Sequence, residues 1–137
     1  MQTPQKPIYE LMGGESAVTA LVQRFYDHMA SQEPALARLH RCDANGRVDA
    51  EAQERFRHFL MGWLGGPQIY VATHGHPRLR MRHGAVAIDS QMRDAWLRCM
   101  TVAVTEGNFA PEVVQHLDGA FARLADFLRN APDGPPA

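Results

Sequence analysis

The sequence predicts an all-α fold, and three observations lead there. In four separate stretches apolar residues recur at three- and four-residue spacing. Nowhere do apolar and polar residues alternate as they would along a half-buried strand, and clusters of glycine and proline separate the periodic stretches. At 137 residues the chain is long enough to bury one sizeable core. Residues 1–131 read as a single domain, and residues 132–137, with three prolines and a glycine, as a frayed, disordered tail.

The elements follow in order. A short apolar segment, Ile8 to Met12, is broken by Gly13-Gly14, after which Ser16 is placed to cap a helix. Val18, Leu21, Val22, Phe25, Tyr26 and Met29 then mark one buried stripe. A polar stretch with Asp43, Asn45 and Gly46 as turn formers leads to a second helix bearing Ala52, Phe56, Phe59, Leu60 and Trp63, stopped by Gly65-Gly66-Pro67. From Gln68 to His83 the periodicity weakens, with a bend at Gly75-His76-Pro77. Ser90 opens a third helix with Met92, Trp96, Cys99, Met100, Ala103 and Val104 on one face, ending at Gly107. Pro111 suits the first turn of a fourth helix carrying Val113, Val114, Leu117, Phe121, Leu124 and Leu128.

Composition sets bounds on function. Apolar residues make up 45% and charged residues 21% of the chain, ordinary globular usage, so the body is expected to fold. A net charge of -1, with Lys6 the only lysine, offers no clustered basic field for nucleic acid or an anionic membrane. No secretory leader pattern and no bilayer-length apolar run is present, and the expected location is cytoplasmic. Cys42 and Cys99 have neither disulfide-framework nor metal-site spacing and read as free thiols.

Chemistry has to come from polar groups on the apolar stripes. Tyr26 and Trp96 each carry a donor tip that needs a partner when buried, a need that a backbone carbonyl meets as well as a ligand does. Of the seven histidines, His74 and His76 are two residues apart with no Cys or carboxylate nearby to complete a zinc set. His83 closes the segment Arg80-Met81-Arg82-His83, which sets a neutral metal ligand beside fixed positive charges between two apolar helices. Haem matches those needs: an axial imidazole for iron, an apolar slot for the ring, and basic residues such as Arg55, Arg80 and Arg82 for the propionates. A helical interaction module without haem is equally compatible with the periodicity alone. Nucleophile elbows, phosphate loops, CxxC pairs and paired carboxylates are all missing, and the lack of CxxCH excludes the usual thioether attachment of haem.

The combination of segments is more specific than its parts. Gly13-Gly14, Arg24-Phe25-Tyr26, Trp63-Leu64-Gly65-Gly66-Pro67, Gly75-His76-Pro77-Arg78-Leu79-Arg80-Met81-Arg82-His83 and Arg93-Asp94-Ala95-Trp96-Leu97-Arg98-Cys99-Met100 together resemble the group II truncated haemoglobins, over roughly residues 8 to 129. The resemblance implies a shortened globin, two helices packed across two, around a b-type haem. It implies His83 as the iron ligand, Tyr26 and Trp96 as distal donors, and Arg55 and Arg82 as propionate contacts. Phe56, Phe59, Leu60, Trp63, Leu79, Ile88 and Met100 would be wall residues. The position often held by a distal histidine falls on Ala52, and a loop position often Tyr or Phe falls on His40, which would join Tyr26 and Trp96 in a polar distal network. Val86, where relatives commonly carry Phe, and Phe56, where they often carry Leu, depart from the pattern.

The expected ligands are therefore O2, CO and NO, in redox chemistry of the NO dioxygenase or peroxidase kind with an unidentified reductase as partner. A reversible O2 carrier or store is the alternative. A homodimer is compatible with the resemblance, and nothing in the sequence decides it.

Overall fold

The computed structural model describes residues 6–76 and 88–131. Within them the chain forms seven helices: α1 (Ile8–Met12), α2 (Gly14–Gln32), α3 (Pro34–Ala37), α4 (Ala50–Trp63), α5 (Ile69–His74), α6 (Ser90–Thr105) and α7 (Pro111–Leu128). Among the described residues the only extended pairing is an isolated antiparallel bridge between Cys42 and Val48.

The four long helices are those that the apolar spacing predicts, with differences at their ends. Ser16 does not cap α2; the helix starts two residues earlier, at Gly14, behind Gly13, whose left-handed φ of 118° also ends α1. A side-chain cap is likewise absent from α4, whereas Asp89 caps α6 by accepting from the backbone N–H of Met92. Pro111 occupies the first turn of α7, where its missing N–H costs nothing. In the polar stretch before α4, the Asp43 carboxylate accepts from the backbone N–H groups of Asn45 and Arg47, closing a small turn at Gly46. Two short helices, α3 and α5, occupy regions the spacing left irregular.

Helix α2 is central. It packs on α6 and α4, α6 packs on α7, and α5 folds back onto α4, so one helix pair, α2 with α4, lies over a second, α6 with α7. The core between them holds Val18, Leu21, Phe25 and Met29 of α2, Leu60 and Met61 of α4, Met100 and Val104 of α6, and Leu117 and Phe121 of α7, all 1% exposed or less. Burying one such phenylalanine stabilises the fold by about 1.5–3 kcal/mol.

The Gly65-Gly66 pair does more than stop α4. A Cβ on Gly65 would lie 2.6 Å from the Pro7 ring and one on Gly66 2.6 Å from the Tyr9 ring, so α1 lies directly against this bare backbone. The Tyr9 N–H donates to the Leu64 carbonyl at 2.9 Å, completing the seat.

Candidate functional site

A cavity of about 620 Å³ opens between the two helix pairs, within the size range of small-molecule and cofactor sites. Each helix presents its lining at the spacing of one helical face. Helix α2 contributes Phe25 and Tyr26; α4 contributes Ala52, Arg55, Phe56 and Phe59; α5 contributes Tyr70 and His74; α7 contributes Leu124 and Leu128. Trp96 comes from α6, and His40 from the loop after α3. A smaller cavity of about 280 Å³ adjoins it, sharing His40, Ala52, Arg55, Trp96 and Leu128 and adding Ile88 and Met92.

Aromatic rings build the inner end. Phe25 stands edge-on to Tyr26 at 5.0 Å and to Trp96 at 5.2 Å, with Phe56 5.4 Å from Phe25 and 5.9 Å from Tyr26. Two donors sit in this apolar frame. Tyr26 is 5% exposed, and Trp96 is half-buried; neither side chain hydrogen-bonds to any of the described residues. Burial drives the Tyr26 phenol far above its ordinary pKa, with the positive charge of Arg55 opposing the shift only in part, so the phenol keeps its proton at any physiological pH. His40 lies 6.3 Å from Tyr26, ring to ring. Its Nδ1 is 3.1 Å from the Leu36 carbonyl, which can only accept, so Nδ1 carries the proton and Nε2 is the acceptor of the neutral ring.

Of the residues singled out in the sequence, Tyr26, His40, Arg55, Phe56, Phe59 and Trp96 converge on this cavity, and Ile88 lines its smaller neighbour. Leu60 and Met100 are buried in the core and line neither. Trp63 stacks on Phe59 at 6.1 Å but lines a different cleft with Ile8, Leu11 and His116. Leu79, Arg82 and His83 lie outside the described residues. The sequence reading put Phe25, Leu124 and Leu128 on buried helix stripes and weighed His74 only for zinc, and it assigned none of these, nor Tyr70, to the site. The four-residue spacing of Tyr70 and His74, and of Leu124 and Leu128, was the available signal.

That second cleft, about 800 Å³, is larger but shallower, and lies on the outside of α1, α4 and α7. Its size is not an argument for function, because its polar side chains, Lys6, Trp63, Glu112 and His116, are all exposed and find their partners in water. Among the described residues no group of three or more His, Cys, Asp or Glu is placed to hold a metal ion, and no helix is long and apolar enough to cross a membrane.

Known proteins agree with the architecture. The family model for the bacterial-like globins matches residues 7–130. The group 2 truncated hemoglobin YjbI of Bacillus subtilis is 34% identical over 122 residues, covering 89% of this chain and 87% of that protein. Among solved structures, the cold-adapted truncated hemoglobin of the Antarctic marine bacterium Pseudoalteromonas haloplanktis is 38% identical. It superposes with a TM-score of 0.83 over 91% of this chain and 98% of its own. The group II 2-on-2 hemoglobin of Agrobacterium tumefaciens is 32% identical, with a TM-score of 0.85 over 97% of this chain and all of its own.

Proposed function

The chain belongs to the bacterial-like globin family, in its group II truncated branch, and from that premise we propose that it holds a b-type haem for redox chemistry on O2, NO or peroxide. The observation that carries this reading is the pair of donors, Tyr26 and Trp96, that line one apolar cavity and hydrogen-bond to none of the described residues. Both donors face the cavity without a partner among the described residues, so together they offer hydrogen bonds to a polar atom brought in from outside.

The residues fit a haem. Aromatic and aliphatic side chains supply most of the described lining, none of the twelve described lining residues is acidic, and Arg55 stands at an exposed position to meet carboxylates. On the family resemblance, His83 would hold the iron and Arg82 would be a further carboxylate contact. Bound haem supplies an iron centre that takes up diatomic gases and exchanges electrons.

The chain's own residues then set the behaviour. The Tyr26 phenol, held protonated by burial, would donate to a gas molecule held in the cavity. The Trp96 indole donates and never accepts, so it favours a ligand atom carrying negative charge. His40, with Nδ1 at the Leu36 carbonyl and its ring 6.3 Å from Tyr26, would complete the polar set. Hydrogen bonds of this charge-assisted kind contribute about 1.5–3 kcal/mol each, so two of them make gas release slow, which favours chemistry over transport. Turnover then calls for a reductase that returns the iron to its ferrous state.

The test is the visible spectrum of the purified protein, ferric and then reduced, with and without CO, beside His83→Ala. The expected result is a Soret band that moves with CO and is lost or strongly altered in the variant. Fast O2 release from a stable ferrous protein would instead mark a reversible carrier. A chain that takes up no haem when haem is supplied would end the reading.

A further inference from the structure

We propose that His74 is a positioning residue that holds one of the two haem carboxylates at the rim of the cavity, beside Arg55; this rests on the haem-binding reading above. Of the twelve described residues that line the cavity only Arg55 and His74 are exposed, so among these the two mark where the cavity meets water. A haem placed there turns its carboxylate edge to that rim, because burying an unpaired carboxylate is far too costly. Two carboxylates call for more than one donor. Arg55 is a single cation already shared with Glu51 at 3.7 Å, and His74 is the other described residue at the rim able to donate an N–H, alongside the Arg82 proposed above; it does so whether neutral or protonated.

His74 is also built into place. It is the last residue of α5, directly before Gly75, and its ring lies 4.8 Å from Tyr70. Tyr70 is buried and stands edge-on to Phe59 at 6.1 Å. The chain of rings from Phe59 through Tyr70 to His74 carries the imidazole from the cavity wall to its mouth, so little rotamer freedom remains to be lost when it binds a carboxylate.

The experiment reconstitutes wild type, His74→Ala and His74→Arg with haem and, separately, with haem dimethyl ester, whose carboxylates are blocked. The rate of haem loss to an excess of a scavenger apoglobin is followed by the Soret band. Expected are a loss about three- to tenfold faster from His74→Ala than from wild type with free-acid haem, retention restored in His74→Arg, and equal rates for all three with the ester. Equal rates with free-acid haem, an acceleration that persists unchanged with the ester, or a loss that arginine fails to restore would each overturn the proposal. A wild-type chain that shows no Soret band on titration with haem would overturn the globin reading itself, and this inference with it.

Discussion

Two hollows in this molecule are bordered by different tryptophans, and the contrast between them separates a site from a space. The cleft outside α1, α4 and α7 is the larger, at about 800 Å³, and its Trp63 is 38% exposed, stacked on Phe59 and tilted over Phe121. The inner cavity is smaller, at about 620 Å³, but its Trp96 and Tyr26 bring two donors into an apolar frame. Volume is cheap at a surface, where water satisfies whatever lines it. Two donors turned into one enclosed cavity with no partner among the described residues are a stronger sign of a ligand than volume is.

Phe121 is the partition. It is 1% exposed and lies 5.5 Å from Trp63 on one side and 5.9 Å from Trp96 on the other. Removing it in Phe121→Ala is expected to have the largest effect, lowering unfolding free energy by about 3–5 kcal/mol in urea denaturation. The same change removes the one ring that touches both tryptophans among the described residues.

The next largest effect sharpens the contrast. In the haem-loaded protein, Tyr26→Phe and Trp96→Phe should each speed O2 release about ten- to a hundredfold in stopped-flow displacement by CO, the loss of one donor apiece. Trp63→Phe, on the other hollow, should leave that rate within about twofold. An equal effect from Trp63 would dissolve the distinction between the two tryptophans.

Gly66→Ala tests how the outer cleft is floored. Its Cβ would meet the Tyr9 ring at 2.6 Å, so α1 must shift, and a loss of about 1–3 kcal/mol in the same denaturation assay is expected with little change in O2 release.

The smallest effect concerns Cys99, buried in α6 three residues from Trp96. Burial pushes its thiol up to about 11 from an ordinary 9.0, with Glu33 adding to the shift. The thiolate is disfavoured only in the folded state, so stability is intact below about pH 9 and falls as the pH rises toward 11. Cys99→Ala should flatten that alkaline loss, and in the wild type at pH 8 the half-exposed Cys42 should react with a thiol reagent well before Cys99.

Much of this was legible in the residues. The stripes of α2, α4, α6 and α7 appear because each helix buries a long face, and the cavity wall of α4 is that same pattern, Ala52, Phe56 and Phe59 with Arg55 between. Helix α5 was not legible: six residues offer too few turns for a period to emerge, and with the helix unseen, Tyr70 and His74 had no common face. The capping of α2 was misread for a related reason. A serine near a helix start signals a cap only where the backbone has not already turned, and here Gly13 turns it. Trp63 and Leu60 share the apolar stripe of α4 with Phe56 and Phe59, yet one stands at the outer cleft and the other in the core, a difference of azimuth that spacing alone does not resolve.

The seat of α1 on Gly65 and Gly66 has a practical consequence. A five-residue helix cannot persist by itself, so its order is borrowed from the corner between α4 and α5. The Tyr9 amide, bonded to Leu64 across that corner, is thus a native hydrogen-exchange reporter: its protection measures how firmly the α4–α5 hinge is closed, at a position that never touches the cavity.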